Sequence, residues 1–210
     1  MKRIFAVLAV LLFAFALAAC GKESPAESNR QLQPAHSQTD SRSEGLNGQK
    51  VLVAYFSATG HTEKVAYSLQ EAYGADLFRI TPEVPYSEAD LDYHDENCRA
   101  NTEQKDPAAR PAILGKDEKL GKYDVVFLGY PIWWGKAPKV IYTFLESHDF
   151  GNAVIVPFCT SGSSGISGSL EELRVLEPQA RWTEGRRFDA APGREEAIRW
   201  AEEQGVDIGL

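Results

Sequence analysis

Between Lys50 and Glu203, short apolar runs alternate with helical patterns five times, and that alternation leaves few folds open. KVLVAYF (50–56) is continuous, apolar and β-branched, which is how a strand buried on both faces reads. DLFRI (76–80), DVVFLGY (124–130) and AVIVPF (153–158) repeat the pattern, and RWTEGRRF (181–188) reads as a weaker strand at an edge. Residues 62–73 have helical spacing, with Val65, Ala66, Leu69, Ala72 and Tyr73 on one face and Gly74 as the stop. Further helices are predicted over 137–146, with Pro138 in the first turn, over 168–176, ended by Pro178, and over 194–203. Residues 81–113 form a long polar excursion with room for one irregular helix. The order predicts an α/β doubly wound sandwich with a mostly parallel sheet and right-handed crossovers.

The chain has 210 residues, and its ends do not share this pattern. MKRIFAVLAVLLFAFALAAC places Lys2 and Arg3 before an apolar run from Ile4 to Ala16, then small residues and Cys20. That is the plan of an export signal, and the run is too short for a comfortable membrane span. The ending resembles a lipobox, which makes Cys20 the expected lipidation site; an ordinary secretory signal that happens to end in cysteine is the alternative. Residues 21–48 are rich in Ser, Gln, Glu and Pro, with Leu32 and Leu46 as their large aliphatics. Such a segment cannot bury enough apolar surface to order itself, so it reads as a flexible spacer. Residues 49–210 then make about one domain by size.

The formal charge is −8, and the first twenty residues contribute only positive charge to it. The domain is therefore more acidic still, which argues against nucleic acid and against a basic membrane-hugging face. Besides Cys20, only Cys98 and Cys159 are present. Their pairing is open at this point, and no CxxC or His/Cys cluster has the spacing of a structural metal site. His94 and His148 lie in polar context and are expected to face solvent.

In a doubly wound sheet, ligands bind outside the carboxyl ends of the strands. After the first strand come Ser57, Ala58, Thr59, Gly60, His61 and Thr62. Hydroxyls and a glycine turn that lead into a helix N-terminus can hold a phosphate without a cation. Simple helix capping by Thr59 or Thr62 is the alternative. Neither a P-loop nor a GxGxxG pattern is present, which argues against nucleotide hydrolysis and against dinucleotides. After the third strand come Pro131, Ile132, Trp133, Trp134 and Gly135, an aromatic wall suited to a flat ring or a hydrophobic plug under a loop. After the fourth come Thr160, Ser161, Gly162, Ser163, Ser164 and Gly165, a ring-edge loop or merely a flexible one. Taken together, one loop for a phosphate and two for a planar ring describe flavin mononucleotide (FMN).

YFSATGHTEKVA, YPIWWGKAP and PFCTSGSSG, in this order, resemble the phosphate loop and the two ring loops of the flavodoxin-like superfamily. PYSEADLDYHDENCRANTEQ and ARPAI are similar to the insertion of its exported bacterial lipoprotein branch. The resemblance covers roughly residues 50–190. It implies a five-stranded parallel sheet of order 2-1-3-4-5 with helices on both faces. It further implies FMN as cofactor, with Ser57, Ala58, Thr59, Gly60, His61 and Thr62 around the phosphate. Pro131, Ile132, Trp133, Trp134 and Gly135 would face the isoalloxazine, and Thr160, Ser161, Gly162 and Gly165 its pyrimidine side. His61 stands where many flavodoxins have asparagine. The excursion 82–112 is longer than in small carriers; Tyr86, Tyr93, Arg99, Glu103 and Arg110 could make a lid, a partner surface or a salt-bridged cover.

No constellation of acid, base and nucleophile suggests a hydrolase, and GxSxG is absent. The expected function is a membrane-tethered FMN electron carrier that meets redox proteins or small quinone-like acceptors. An NAD(P)H-dependent quinone or flavin oxidoreductase and a non-redox ligand-binding lipoprotein are the alternatives.

Overall fold

The computed structural model describes residues 48–115, 120–189 and 193–204. The leader, Cys20 and all but the last residue of the spacer lie outside the described residues. The strands are β1 (Val51–Tyr55), β2 (Asp76–Arg79), β3 (Val125–Pro131), β4 (Val154–Thr160), β5 (Arg181–Trp182) and β6 (Arg186–Phe188). The helices are α1 (His61–Tyr73), α2 (Arg99–Lys105), α3 (Lys139–Ser147), α4 (Ser167–Leu176) and α5 (Arg194–Glu203), with a short 3₁₀ turn at Ala89–Leu91.

All strand pairs are parallel, and the path β2-β1-β3-β4-β5 is the 2-1-3-4-5 order of a doubly wound sheet. Alternate side chains of each strand go to opposite layers. Leu52, Ala54, Val126, Leu128, Ile155 and Cys159 pack with Val140, Ile141, Phe144 and Leu145 of α3 and Leu173 of α4. Val51, Val53, Phe127, Val156 and Phe158 pack with Val65, Ala66 and Leu69 of α1 and Ala197 and Trp200 of α5. Both faces are therefore covered, which is why the strands read as unbroken apolar runs.

The edge strand is one run in the sequence but two strands in the fold, β5 and β6, both paired to β4. Pro157 explains the break. It has no N–H, and Thr183 N donates to Ile155 O (3.0 Å), which puts the same edge of Pro157 toward the gap. Gly185 fills the gap at φ 65°, where an added Cβ would lie 2.4 Å from Pro157 O.

Other differences are local. α1 stops where expected, with Gly74 left-handed and its N–H on Gln70 O. Pro138 is the N-cap of α3 rather than part of its first turn. His148 is buried, not solvent-facing. Its ring lies 4.6 Å from that of Phe144 and contacts Phe78 and Phe150, and its nitrogens meet the carbonyls of Phe144 (2.8 Å) and Gly115 (3.2 Å). His94 is exposed as predicted. Cys98 and Cys159 are both buried and free, so they do not pair.

Candidate functional site

β1, β3 and β4 are neighbours in a parallel sheet, so their carboxyl ends share one edge. The first loop leaves β1 there. Ser57 is buried, and its Oγ accepts from Gly60 N (3.1 Å). Gly60 takes φ 84°, a left-handed turn that glycine adopts without strain, and it is the N-cap of α1. No side chain caps the helix, so neither Thr59 nor Thr62 has the capping role. The first amides of α1 are left without intrahelical acceptors. Thr62 is only 1% exposed, and its hydroxyl lies 2.8 Å from that of Thr160, the last residue of β4. This bond ties the first loop to the third. His61 has its Nδ1 buried without a hydrogen-bond partner. Glu63, the one acid in the first turn, is held by Tyr55 Oη (2.9 Å) and Arg79 (3.3 Å).

The second loop is a tight turn. Trp133 N donates to Lys136 O (2.9 Å) and Lys136 N to Trp133 O (3.0 Å). The central residues Trp134 and Gly135 have φ 53° and 76°, the signature of a type I′ turn. A bulky residue at positive φ is strained by about 1–3 kcal/mol and persists only where its surroundings fix it. The helix α2 supplies the fixing. Trp134 Nε1 donates to Asn101 Oδ1, and Gln104 Nε2 donates to the carbonyls of Trp133 (2.8 Å) and Ala137 (3.2 Å). Asn101 is 3% exposed and also donates to the carbonyls of Tyr93 (3.2 Å) and Asp95 (2.7 Å). Trp133 packs edge-on against Phe56 (5.6 Å) and Tyr86 (5.2 Å), while Trp134 stays 65% exposed.

β4 runs on to Thr160, two residues past the predicted strand, so the third loop begins at Ser161. Ser161 N donates to Phe188 O (3.1 Å), and Arg187 donates to Ser161 O (2.9 Å), so β6 holds this loop from behind. Cys159 beside it is wholly buried, and burial pushes its thiol up to about 12 despite the Arg187 charge.

The three loops meet in one cleft of about 650 Å³. Ala58 and Thr59, the stretch from Pro131 to Gly135, and Ser161 and Gly162 all line it, together with Ser163 and Ser164. Ser57, Thr62 and Thr160 are buried and, with the exposed Gly165, are not among its lining residues. Leu91, Tyr93, Ala100 and Asn101 of the excursion complete the lining. The excursion thus supplies one wall of the cleft and is a salt-bridged cover: Arg99 pairs with Glu103 (2.6 Å) and lies over Tyr86 (4.1 Å), Tyr86 bonds Glu103, and Arg110 grips Glu146 of α3 (2.6 Å). Asn101 and Gln104 escaped the sequence reading; their i, i+3 spacing within the excursion was the available signal. Among the described residues, no charged side chain lines the cleft.

Such a cleft can take a flat ring between apolar and hydroxyl walls and an anion at the α1 amides. Comparison with known proteins gives the family of the chain. A flavodoxin family model matches residues 50–204. A Bacteroides eggerthii protein assigned as a flavoprotein is 45% identical, with TM-score 0.70 over 75% of this chain and 99% of that one. A Lactobacillus acidophilus flavoprotein solved in complex with FMN shares the fold at 19% identity and TM-score 0.57, over 73% of this chain and 99% of its own. An NAD(P)H dehydrogenase (quinone) from Sinorhizobium fredii is 31% identical over 101 residues, 46% of this chain and only 45% of that protein. With the family model spanning nearly all of the folded part, the chain belongs to the flavodoxin family.

Proposed function

We propose that the chain is an FMN-binding redox protein that works as a membrane-tethered electron carrier. The convergence of the three loops on one cleft, with no charged side chain among its described lining residues, supports this reading most directly. Ser57, Gly60 and the first amides of α1 would hold the phosphate, Trp133 and Trp134 the ring faces, and Ser161 and Gly162 the ring edge. Bound FMN would supply electron transfer. The protein's part is to hold the ring, to exclude water from it with the excursion, and to set the charge around it. Cys20, at the end of an export-signal pattern, would carry the lipid anchor, with redox proteins or quinone-like molecules as partners. The partial match to a quinone dehydrogenase keeps one second reading, an NAD(P)H-dependent oxidoreductase on the same cleft.

FMN titration of the flavin-stripped protein tests the cofactor, and saturable quenching of flavin fluorescence is expected. Steady-state NAD(P)H oxidation with menadione then separates the two roles. A carrier shows negligible turnover with a nicotinamide donor, whereas sustained turnover selects the oxidoreductase.

A further inference from the structure

The ring cleft has a neighbour that the flavin reading does not use. A second cleft of about 680 Å³ shares Tyr93, Asn101 and Trp134 with it, so Trp134 is a wall common to both. Two exposed aromatics stand here, Trp134 at 65% and Tyr93 at 63%. In an acidic chain this cleft carries two lysines, Lys105 and Lys136, against Glu96 as its one carboxylate among the described residues, with His94 beside them. Lys136 is paired with Glu172. Lys105 is not; its ammonium donates to the backbone carbonyl of Glu96 (3.2 Å) and makes no ion pair among the described residues. The His94 ring leans against Tyr93 with ring centres 4.0 Å apart and planes tilted by 38°, which holds the Tyr93 ring in place. The strained backbone of Trp134 and its bond to Asn101 fix the indole between the two clefts.

We propose that this second cleft binds a small aromatic anion, its ring against Trp134 and Tyr93 and its anionic group at Lys105 and His94. Flat exposed aromatics favour a planar ring, and an unpaired ammonium beside them favours a negative charge over a neutral or cationic ligand. A volume of this size suits a molecule of two or three fused rings and is small for a protein segment.

The test uses anthraquinone sulfonate as probe on the whole protein, both flavin-free and FMN-saturated, with binding followed by equilibrium dialysis. Saturable binding to both forms is expected, weakened by salt. Lys105→Glu should weaken it about tenfold and leave FMN affinity unchanged. A neutral anthraquinone alcohol should bind more weakly than the sulfonate and ignore Lys105→Glu. Displacement of the probe by FMN would place it in the ring cleft and overturn the proposal. Equal affinity of Lys105→Glu and the parent protein for the sulfonate would overturn it as well. Probe binding with Lys105 dependence but without any FMN binding would uphold this site and sink the flavin reading instead.

Discussion

The indole N–H of Trp134 donates to the side-chain oxygen of Asn101, across 33 residues of sequence. That bond joins the ring loop after β3 to the helix α2 of the excursion, and it holds an aromatic residue in a left-handed conformation at the mouth of the cleft. Replacing Asn101 by Ala removes this acceptor and both bonds to the carbonyls of Tyr93 and Asp95. The Tyr93 carbonyl then loses this partner and the Asp95 carbonyl keeps only the Cys98 N–H, so unfolding free energy should fall by about 1–3 kcal/mol. FMN should bind more weakly and leave faster. Denaturant unfolding and stopped-flow flavin release measure the two effects; loss of stability with unchanged flavin release would mean that Asn101 only braces the excursion.

Trp134→Gly separates strain from contact. Glycine relieves the positive φ, so stability should hold or rise by up to about 1 kcal/mol even though a large side chain is lost. FMN affinity should fall. A variant that loses stability and keeps its flavin affinity would show that the indole packs for the fold and not for the ring.

Gly129 is required by a neighbour on the next strand. A Cβ at this position of β3 would lie 2.2 Å from the ring of Phe158, its register partner on β4. Gly129→Ala should cost about 1–3 kcal/mol in urea unfolding, as overpacking does. Adding Phe158→Leu should recover part of the loss, so the double variant will be less destabilised than the sum of the two single ones.

Among the described residues, the cleft offers no charged side chain to a ring that gains negative charge on reduction, and the chain as a whole is acidic. Bound FMN should therefore have a lower potential for its second electron than free FMN, and added salt should raise it by screening. Potentiometric titration at two ionic strengths checks both directions; a potential above that of free FMN would contradict the electrostatic account.

Cys159 gives a pH effect with a definite sign. Burial raises its thiol from 9.0 to about 12, so the folded state keeps the proton that the unfolded chain releases near 9.0. Its contribution to stability is whole below pH 9.0 and is lost as pH rises toward about 12. The native thiol should resist alkylation at pH 8 and react only on unfolding, and Cys159→Ala should flatten the alkaline decline in stability.

The layers of the fold were legible because a parallel sheet buried on both faces writes its strands as continuous apolar runs. The break between β5 and β6 was not, because Pro157 acts from a different strand and its effect depends on register. His148 reads as polar in its own segment; Phe78, which helps bury it, arrives from far along the chain. The three loops of the site were legible as a set, since each directly follows a recognisable strand. Asn101, Gln104 and Leu91 were not, because nothing local says that the excursion folds back over the loop of Trp133 and Trp134.

In the function we propose, the turn Ser57–Thr62 holds a phosphate next to a ring cleft. Parallel titrations of the flavin-stripped protein with FMN and with riboflavin, which lacks the phosphate, test it most directly. The account predicts quenched, saturable binding of FMN, riboflavin at least about tenfold weaker, and most of that difference erased by Ser57→Ala with Thr59→Ala. Equal affinity for the two flavins, or no binding of either, would contradict it.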